Sequence, residues 1–257
     1  MIFQDQLENK LKIQQTPQRI ISLVPSITEL LFDLGLGSHI VGRTKFCIYP
    51  KEQCKRVPQI GGTKSVHLDR IESLKPDLII GNKEENDKAQ ITYLQAHFPV
   101  WVSDVVTVED ALAMIYNLGI LLDRQAQASA IIKKIQASLA RIQGPAHPPK
   151  IAYLIWRAPL MAAAKKTFIH AMIETAGWHN VFADRERYPE VSIALLQEKK
   201  PDYLFLSSEP FPFKEKHIQE FQNLLPETKI RLVDGELFSW YGSRMQYFGE
   251  YVGRGVW

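Results

Sequence analysis

Short runs of β-branched and other apolar residues alternate with amphipathic runs along the first part of the chain. Strand patterns fall at residues 19–24, 39–44, 77–82 and 100–104. Helical patterns lie between them, at residues 28–36, 68–74 and 91–98. A strand followed by a helix and another strand is typical of a parallel crossover unit, so this alternation predicts a parallel sheet covered by helices.

A long helical pattern follows and separates this region from a second one like it. Thr107 can cap the helix with Asp110 at its third position, and apolar residues recur at helical spacing as far as Leu139, with a pause predicted at 122–124. The glycine- and proline-rich run 144–150 ends the helix. Strand patterns resume at 150–156, 203–208 and 230–235, and helix patterns at 168–177, 192–200, 216–225 and 243–251. The sequence predicts an α/β protein with an N-terminal lobe, a connecting helical segment and a C-terminal lobe, at 1–105, 106–148 and 149–257.

The two predicted lobes share a local repeat. Lys75-Pro76-Asp77 lies between a helix pattern and a strand pattern in the first lobe, and Lys200-Pro201-Asp202 has the same place in the second. Proline cannot continue a helix and pushes the preceding residue to extended geometry, so both triplets mark a helix end. One copy in each lobe indicates a duplicated lobe rather than a solenoid.

Composition and charge exclude several classes of protein. The 257 residues are 46% hydrophobic and 23% charged, which excludes a disordered, collagen-like or disulfide-scaffold chain. The net charge is +3 and the basic residues are spread along the chain, so no nucleic-acid partner is expected. The longest apolar run, 111–122, has about 12 residues against the roughly 20 needed to cross a bilayer, so no membrane insertion is expected.

Motifs for nucleotide binding, hydrolysis and metal binding are missing from the sequence. The glycines at 35–37 and 61–62 lack the spacing of a phosphate-binding loop, and no Gly-x-Ser-x-Gly turn is present. The strand ends carry Thr, Asn and Trp, so a cluster of metal ligands is not expected there. His67 and His170 are potential ligands, so direct binding of a bare metal ion remains an alternative. No cofactor and no catalytic residue is therefore predicted.

Aromatic and polar residues follow the predicted strands. Ligands bind beyond the carboxyl ends of strands in open parallel sheets, so these residues are expected to meet at one rim of each sheet. Two such rims facing each other would form a cleft of aromatic rings and a few charges, which suits a bulky ligand bound without chemistry. The residues after the strands are Phe46, Thr63, Lys64, Asn82, Trp156, Arg157, Glu209, Phe238, Trp240 and Tyr241.

The two cysteines and the N-terminus bear on the compartment. Cys47 and Cys54 lie seven positions apart and are predicted to be free thiols, with a small-loop disulfide as the alternative in an exported protein. Residues 1–13 contain no basic region followed by an apolar one. The sequence as it stands therefore predicts no secretory signal peptide and a cytoplasmic location, with an exported protein whose leader has been removed as the alternative.

A family resemblance runs through nearly the whole chain. It rests on 19–32 (RIISLVPSITELLF), Gly35, Val41-Gly42, Tyr49-Pro50, 60–62 (IGG), 68–71 (LDRI), 75–80 (KPDLII) and 178–182 (WHNVF). In these residues the chain resembles the class III periplasmic binding proteins, receptors that deliver cobalamin, ferric siderophores or haem to ABC importers. The resemblance implies two Rossmann-like lobes with parallel sheets joined by a long helical segment, and a metal chelate bound in the cleft between them.

Within that family the resemblance is strongest to the cobalamin receptors, and it implies a set of ligand-binding residues. Phe46 and Tyr188 fall on aromatic positions of the pocket. Asn82 and Thr63 stand where those receptors have tryptophans, and Trp240 stands where they have an arginine. The resemblance and the pattern of residues after the strands together give the predicted ligand-binding set: Ser26, Phe46, Thr63, Lys64, Asn82, Trp156, Arg157, Tyr188, Phe238, Trp240 and Tyr241.

Docking to the importer in this family uses one carboxylate on each lobe, which pairs with arginines of the membrane subunits. Asp69 falls on this position in the first lobe, whereas Ala194 falls on it in the second. Glu190 or Glu198, from neighbouring turns, is expected to supply the missing carboxylate.

The resemblance and the residues together give two functional hypotheses. The first is a non-catalytic, monomeric substrate-binding protein of an ABC importer, for a cobalamin-like corrinoid, ferric siderophore or haem, in which Arg157 and Lys64 offer charge to the ligand. The alternative is a cytoplasmic protein or enzyme that handles a corrinoid or iron chelate on the same scaffold. In that alternative Cys47 would be a soft metal ligand or a nucleophile.

Overall fold

The computed structural model describes residues 1–255 and divides them into two compact units. Unit 1 consists of Met1–Val105, Glu109–Lys133 and Tyr241–Arg244. Unit 2 consists of Val106–Val108, Lys134–Trp240 and the residues from Met245 onward. The connecting segment predicted at 106–148 is therefore shared between the two units, and the chain returns to unit 1 for four residues near its C-terminus.

Unit 1 contains a four-stranded parallel sheet with the strand order β4-β3-β5-β6, and a separate antiparallel hairpin of β1 and β2. Its strands are β1 (Ile2–Gln4), β2 (Lys10–Lys12), β3 (Ile20–Ser22), β4 (Ile40–Arg43), β5 (Leu78–Asn82) and β6 (Val100–Ser103). Its helices are α1 (Pro25–Asp33), α2 (Lys51–Arg56), α3 (Leu68–Ser73), α4 (Lys88–His97) and most of α5 (Val108–Leu121). The sequence pattern missed the hairpin and α2.

Unit 2 contains a sheet with the strand order β11-β10-β7-β8, in which β9 also pairs with β7. Strand β8 is antiparallel to β7, and the other pairs are parallel. The strands are β7 (Lys150–Trp156), β8 (Met161–Ala162), β9 (His179–Asn180), β10 (Tyr203–Ser207) and β11 (Lys229–Val233). The helices are α7 (Phe168–Thr175), α8 (Ile193–Lys199), α9 (Glu215–Leu224), α10 (Gly235–Ser239) and α11 (Phe248–Gly253).

The long helical pattern is two helices, and the break between them lies where the sequence predicts a pause. Helix α5 ends at Leu121 and α6 (Gln125–Leu139) begins four residues later, across Asp123 with a left-handed φ of 54°. Helix α6 is itself divided at Lys133 and Lys134 between the two units. None of the helices within residues 1–255 is long and apolar enough to span a membrane.

The repeated Lys-Pro-Asp triplets have the same structure in both units. The Asp77 carboxylate accepts hydrogen bonds from the backbone N–H groups of Gln18 and Arg19, both at 2.8 Å. The Asp202 carboxylate accepts one from the backbone N–H of Lys150 at 2.7 Å. Each aspartate thus joins the start of one parallel strand to the segment that leads into its neighbour.

The lysines of these triplets differ from the prediction. Lys75 and Lys200 have left-handed backbones, with φ of 47° and 45°, rather than the extended geometry expected before proline. Each helix is followed by a lysine with a left-handed backbone, which is a common way to terminate a helix.

The cores of the two units are built from different side chains. Residues of β3, β5 and α1 in unit 1 are buried and largely aliphatic, because helices cover both faces of the parallel sheet. In unit 2 several aromatic rings join the aliphatic residues in the interior. These rings include Tyr153, Trp178, Phe182, Phe205, Phe221, Phe238 and Phe248.

Candidate functional site

The loop after β4 in unit 1 exposes two large apolar side chains. Phe46 is 50% exposed and Ile48 is 46% exposed, and the Lys45 ammonium lies 5.0 Å from the centre of the Phe46 ring. Beneath them the loop is held by Arg43, which is buried and donates to the backbone carbonyls of Thr44 and Cys54. The ring of Phe46 is therefore presented to solvent on a well-anchored loop.

Both cysteines are free and buried under this loop. The Cys47 sulfur lies 3.1 Å from Thr44 Oγ1, and the Cys54 thiol donates to the carbonyl oxygen of Tyr49 at 2.9 Å. Burial raises the pKa of Cys54 to about 11 and also raises the pKa of Cys47. A nucleophilic cysteine needs a thiolate, so the role given to Cys47 in the alternative hypothesis is disfavoured by its surroundings.

Asn82 holds the loop after β5 in place. Its amide nitrogen donates to the carbonyl and hydroxyl oxygens of Ser103, at 3.1 and 3.0 Å, and its amide oxygen accepts from the backbone of Glu84 and Glu85. The side chain is buried within this network. Every polar atom of its amide is thus used to shape the loop, and its predicted contact with a ligand stays a prediction.

Thr63 and Lys64 lie in a neighbouring loop that is tied to the β5 loop. Asn86 donates to the carbonyl oxygen of Thr63 at 3.0 Å, and the Lys64 ammonium donates to the carbonyls of Glu84 and Asn86. Lys64 is exposed but engaged with these backbone oxygens, whereas Thr63 is half-buried. The two residues are thus joined to the segment that follows Asn82, and their predicted contact with a ligand stays a prediction.

Ser26 occupies the second position of α1, directly after Pro25. Proline is favoured at the first helical position because its fixed φ suits the helix and its missing N–H needs no partner there. The Ser26 side chain is only 3% exposed, and its hydroxyl oxygen has no hydrogen-bond partner within residues 1–255. Its predicted ligand contact is not tested and stays a prediction.

A four-residue segment from near the C-terminus completes this part of unit 1. Tyr241 is buried, and its hydroxyl lies 3.4 Å from the Glu85 carboxylate. Arg244 forms two hydrogen bonds with Glu29, at 2.7 and 2.8 Å, and its guanidinium lies 4.4 Å from the centre of the Tyr49 ring. The sequence analysis missed the Glu29–Arg244 pair, whose members are 215 residues apart.

The end of β7 in unit 2 exposes one aromatic ring beside a cation. Trp156 is 40% exposed, donates its indole N–H to the carbonyl oxygen of Ala158, and packs edge-on against Phe211 at 5.8 Å. Arg157 forms an ion pair with Glu220 and lies over the ring of Phe221, 5.8 Å from its centre. Trp156 is thus exposed at the end of β7, and the guanidinium of the next residue, Arg157, is held by Glu220 and Phe221.

Phe238 lies inside unit 2 rather than at its surface. It is fully buried and packs against Tyr153 and Phe248, with ring centres 5.1 and 5.3 Å apart. Trp178 and Phe205 lie within 6.3 Å of the same ring. Phe238 is thus part of the core of unit 2 in this structure, and its predicted contact with a ligand stays a prediction.

Trp240 is also buried, by polar as well as apolar contacts. Its indole N–H donates to Glu209 Oε1 at 2.9 Å, and the Ser239 hydroxyl donates to the same oxygen at 2.6 Å. Glu209 follows β10 and Trp240 follows α10, so this contact joins two loops at the carboxyl end of the sheet. Tyr188, the remaining predicted pocket residue, is half-buried in the segment that pairs with β8.

The predicted docking residues lie at the surface. Asp69 is exposed in the first turn of α3. Glu190 is exposed where its backbone forms an isolated antiparallel β-bridge with Met161. Ala194 and Glu198 are exposed on α8.

The histidines in the described part of the chain do not form part of a metal site. His170 is buried and contacts Asn180, and no three His, Cys, Asp or Glu side chains within residues 1–255 form a group that could hold a metal ion.

Comparison with known proteins agrees with this architecture. A vitamin B12-binding protein of Pectobacterium carotovorum subsp. carotovorum is 26% identical over 237 residues, which are 89% of this chain and 84% of that protein. The periplasmic haem-binding protein RhuT of Roseiflexus sp. RS-1 superposes with a TM-score of 0.80 at 23% identity, over 91% of this chain and 96% of that one. The periplasmic vitamin B12-binding protein BtuF of Vibrio cholerae gives 0.75 at 22% identity, over 94% and 97%.

The solved structures share the α/β fold with parallel sheets that the alternation of strands and helices predicts, and this confirms the fold class. The profile of the periplasmic binding protein family matches residues 20–227, from β3 to the loop before β11. The chain belongs to the periplasmic binding protein family.

Proposed function

We propose that this chain is the substrate-binding protein of an ABC importer and that it binds a corrinoid or another bulky metal chelate without changing it. The observation that carries the proposal is the pair of exposed aromatic rings, Phe46 and Trp156. Trp156 is the last residue of β7, and Phe46 lies three residues after the end of β4. Ligands of open parallel sheets bind at the carboxyl ends of strands. Exposed apolar surface at such a place is typical of a binding site.

The size of the rings points to the type of ligand. An aromatic side chain offers a large flat surface and contributes about 0.5–1.5 kcal/mol in ring contacts beyond its buried area. A corrin or porphyrin ring, or the apolar parts of a ferric chelate, can use such a surface. The relatives support this class, because they are named as binding proteins for vitamin B12 and haem.

The surroundings of the thiols favour binding over catalysis. Cys47 and Cys54 are buried with raised pKa values, so neither is activated as a nucleophile. The relatives named above are binding proteins as well. We therefore assign the chain a binding role and no catalytic residue.

The membrane subunits of the importer are the proposed protein partner. Asp69 offers an exposed carboxylate on α3 of unit 1, and Glu190 offers one next to β8 of unit 2. A carboxylate pairs well with an arginine through two parallel hydrogen bonds. Glu190 takes this role because Ala194 provides no charge.

The first experiment measures retention of a coloured ligand. The protein is mixed separately with cyanocobalamin, haem and a ferric hydroxamate, desalted, and its visible absorption spectrum is recorded. We expect one of these chromophores to remain at about one per chain. A folded protein that retains none of them would contradict the proposal.

The Trp156→Ala variant tests the exposed ring. We expect binding of the retained chelate to weaken about tenfold, since the ring contributes about 1 kcal/mol beyond its area. The Tyr116→Ala variant is the matched control, because Tyr116 is 52% exposed on α5 and is not at a strand end. Both variants are expected to unfold at the temperature of the wild type. Equal binding by the two variants would place the ligand elsewhere.

A further inference from the structure

Arg157 is held by one acidic residue at the exposed end of β7. Its Nη2 forms an ion pair with Glu220 Oε1, and its guanidinium lies over the ring of Phe221. The side chains of Arg157 and Glu220 are 36% and 37% exposed. Within residues 1–255, Glu220 is the one side chain that accepts a hydrogen bond from Arg157.

This pairing leaves hydrogen-bond donors without leaving net charge. A guanidinium has five N–H groups, and the contact with Glu220 uses Nη2, so Nε and Nη1 keep theirs for another acceptor. The formal charges of Arg157 and Glu220 cancel. An uncharged oxygen, such as an amide carbonyl, can accept from the remaining donors at no electrostatic cost.

A carboxylate at the same place meets a different environment. It would be attracted by Arg157 and repelled by Glu220, which lies against the same guanidinium. Both side chains are partly exposed, so neither interaction is large, and salt weakens both. The pair therefore removes most of the advantage that an anionic group would gain beside a lone arginine.

We propose that Glu220 determines charge selectivity at Arg157, so that this end of unit 2 favours ligands edged with uncharged oxygen acceptors over ligands edged with carboxylates. The inference rests on the proposed function, because it requires a chelate to reach the exposed Trp156–Arg157 surface. It assigns Glu220 as a specificity-determining residue that acts through Arg157.

The test is the Glu220→Gln variant with related ligands in which a carboxylate is exchanged for an uncharged amide or methyl ester. One set is cyanocobalamin and its three monocarboxylic acids, each made by hydrolysing one propionamide side chain. The other is haemin and its dimethyl ester. Glutamine keeps an acceptor oxygen for Arg157 but has no charge. The Glu215→Gln variant, on an exposed position of the same helix α9, changes the net charge equally and serves as the control.

In Glu220→Gln we expect the affinity for at least one carboxylate ligand to rise about threefold, while that for its uncharged partner changes less than about twofold. The rise should disappear in about 1 M salt, where charges are screened within about 3 Å. The Glu220→Asp variant should restore the selectivity of the wild type. Glu215→Gln should leave it unchanged.

Two results would overturn the proposal, and they differ from failure of the proposed function. Equal loss of affinity for charged and uncharged ligands in Glu220→Gln would make Glu220 a residue that only orients Arg157. No change for any ligand would remove Glu220 from the site. If the wild type itself retains none of cyanocobalamin, haem and the ferric hydroxamate, the proposed function fails first, before any variant is made.

Discussion

The two units end their parallel sheets in chemically different ways. In unit 1 the loop after β5 is shaped by amide side chains. Asn82 Oδ1 accepts hydrogen bonds from the backbone of the two glutamates that follow Lys83, and Asn86 Nδ2 donates one to the carbonyl oxygen of Thr63. In unit 2 the corresponding interior is filled by rings, with Phe238 at the centre of the aromatic cluster. Hydrogen bonds fix the direction of each group, whereas rings stabilise through buried area and tolerate small displacements.

This difference shows that a position after a strand does not by itself make a residue part of a binding surface. Asn82 is the last residue of β5 and Phe238 lies on α10, which follows β11, and both serve the structure of their own unit. Phe46 lies in the loop after β4 and Trp156 ends β7, and both remain exposed. In each unit the candidate surface consists of exposed side chains that belong neither to the amide network of unit 1 nor to the aromatic cluster of unit 2.

Removing the central ring of unit 2 should have the largest effect on stability. We expect Phe238→Ala to lower the free energy of unfolding by about 3–5 kcal/mol, because the buried ring is lost and a cavity remains. Urea unfolding followed by tryptophan fluorescence measures this, since Trp178 lies next to the ring. Phe46→Ala is the control and should cost about 0.5 kcal/mol or less. Similar losses in both variants would refute the assignment of Phe238 to the core.

Removing the amide of Asn82 should have an intermediate effect. We expect Asn82→Ala to lower the free energy of unfolding by about 2 kcal/mol, since buried Ser103 and the N–H groups of the loop lose their partner. Trypsin should also cleave after Lys83 faster than in the wild type, because the loop is less restrained.

The exposed Asn223 on α9 gives a matched control for this prediction. Asn223→Ala removes the same group from the surface and should change stability little. If Asn82→Ala costs no more than Asn223→Ala, the loop of unit 1 is held by contacts other than its amide network.

The fold was accessible from the sequence because its signals are local. The alternation of strand and helix patterns and the Lys-Pro-Asp triplets depend on neighbouring residues, and they predict the parallel sheets correctly. The hairpin of β1 and β2 escaped because its strands have three residues each, too few to show a period.

The site was less accessible because burial depends on distant contacts. Trp156 and Phe238 are both aromatic residues near a strand end, and only the packing of Phe248 and Tyr153 makes one of them internal. The pairs Arg157–Glu220 and Glu29–Arg244 join residues that are 63 and 215 positions apart, so a local sequence pattern cannot predict them. The position of a residue after a strand was therefore a necessary signal but not a sufficient one.

The smallest predicted effect is a difference in how the units respond to pH. His170 in unit 2 is buried, and desolvation lowers its pKa below 6.5. Asn180 Nδ2 lies 3.2 Å from its Nδ1 and can only donate, so this nitrogen accepts in the neutral ring and loses the bond on protonation. Glu29 in unit 1 is also largely buried, and desolvation raises its pKa above 4.5 despite the pairing with Arg244.

These shifts act on stability in opposite directions. Below pH about 6.5 the unfolded state takes up a proton at His170 before the folded state does, so stability is lost as the pH falls through the folded pKa. Above pH about 4.5 the folded state keeps a proton at Glu29 longer than the unfolded state, so stability is gained as the pH falls.

Urea unfolding of the wild type, His170→Gln and Glu29→Gln between pH 4 and 8 tests both signs. The stability of His170→Gln relative to the wild type should rise as the pH falls below about 6.5, because the variant has no proton to take up there. The relative stability of Glu29→Gln should instead decrease as the pH approaches 4.5, since the wild type then regains the neutral carboxyl that the amide resembles. Slopes of the same sign in both variants would show that one of the two groups is better solvated than its burial indicates.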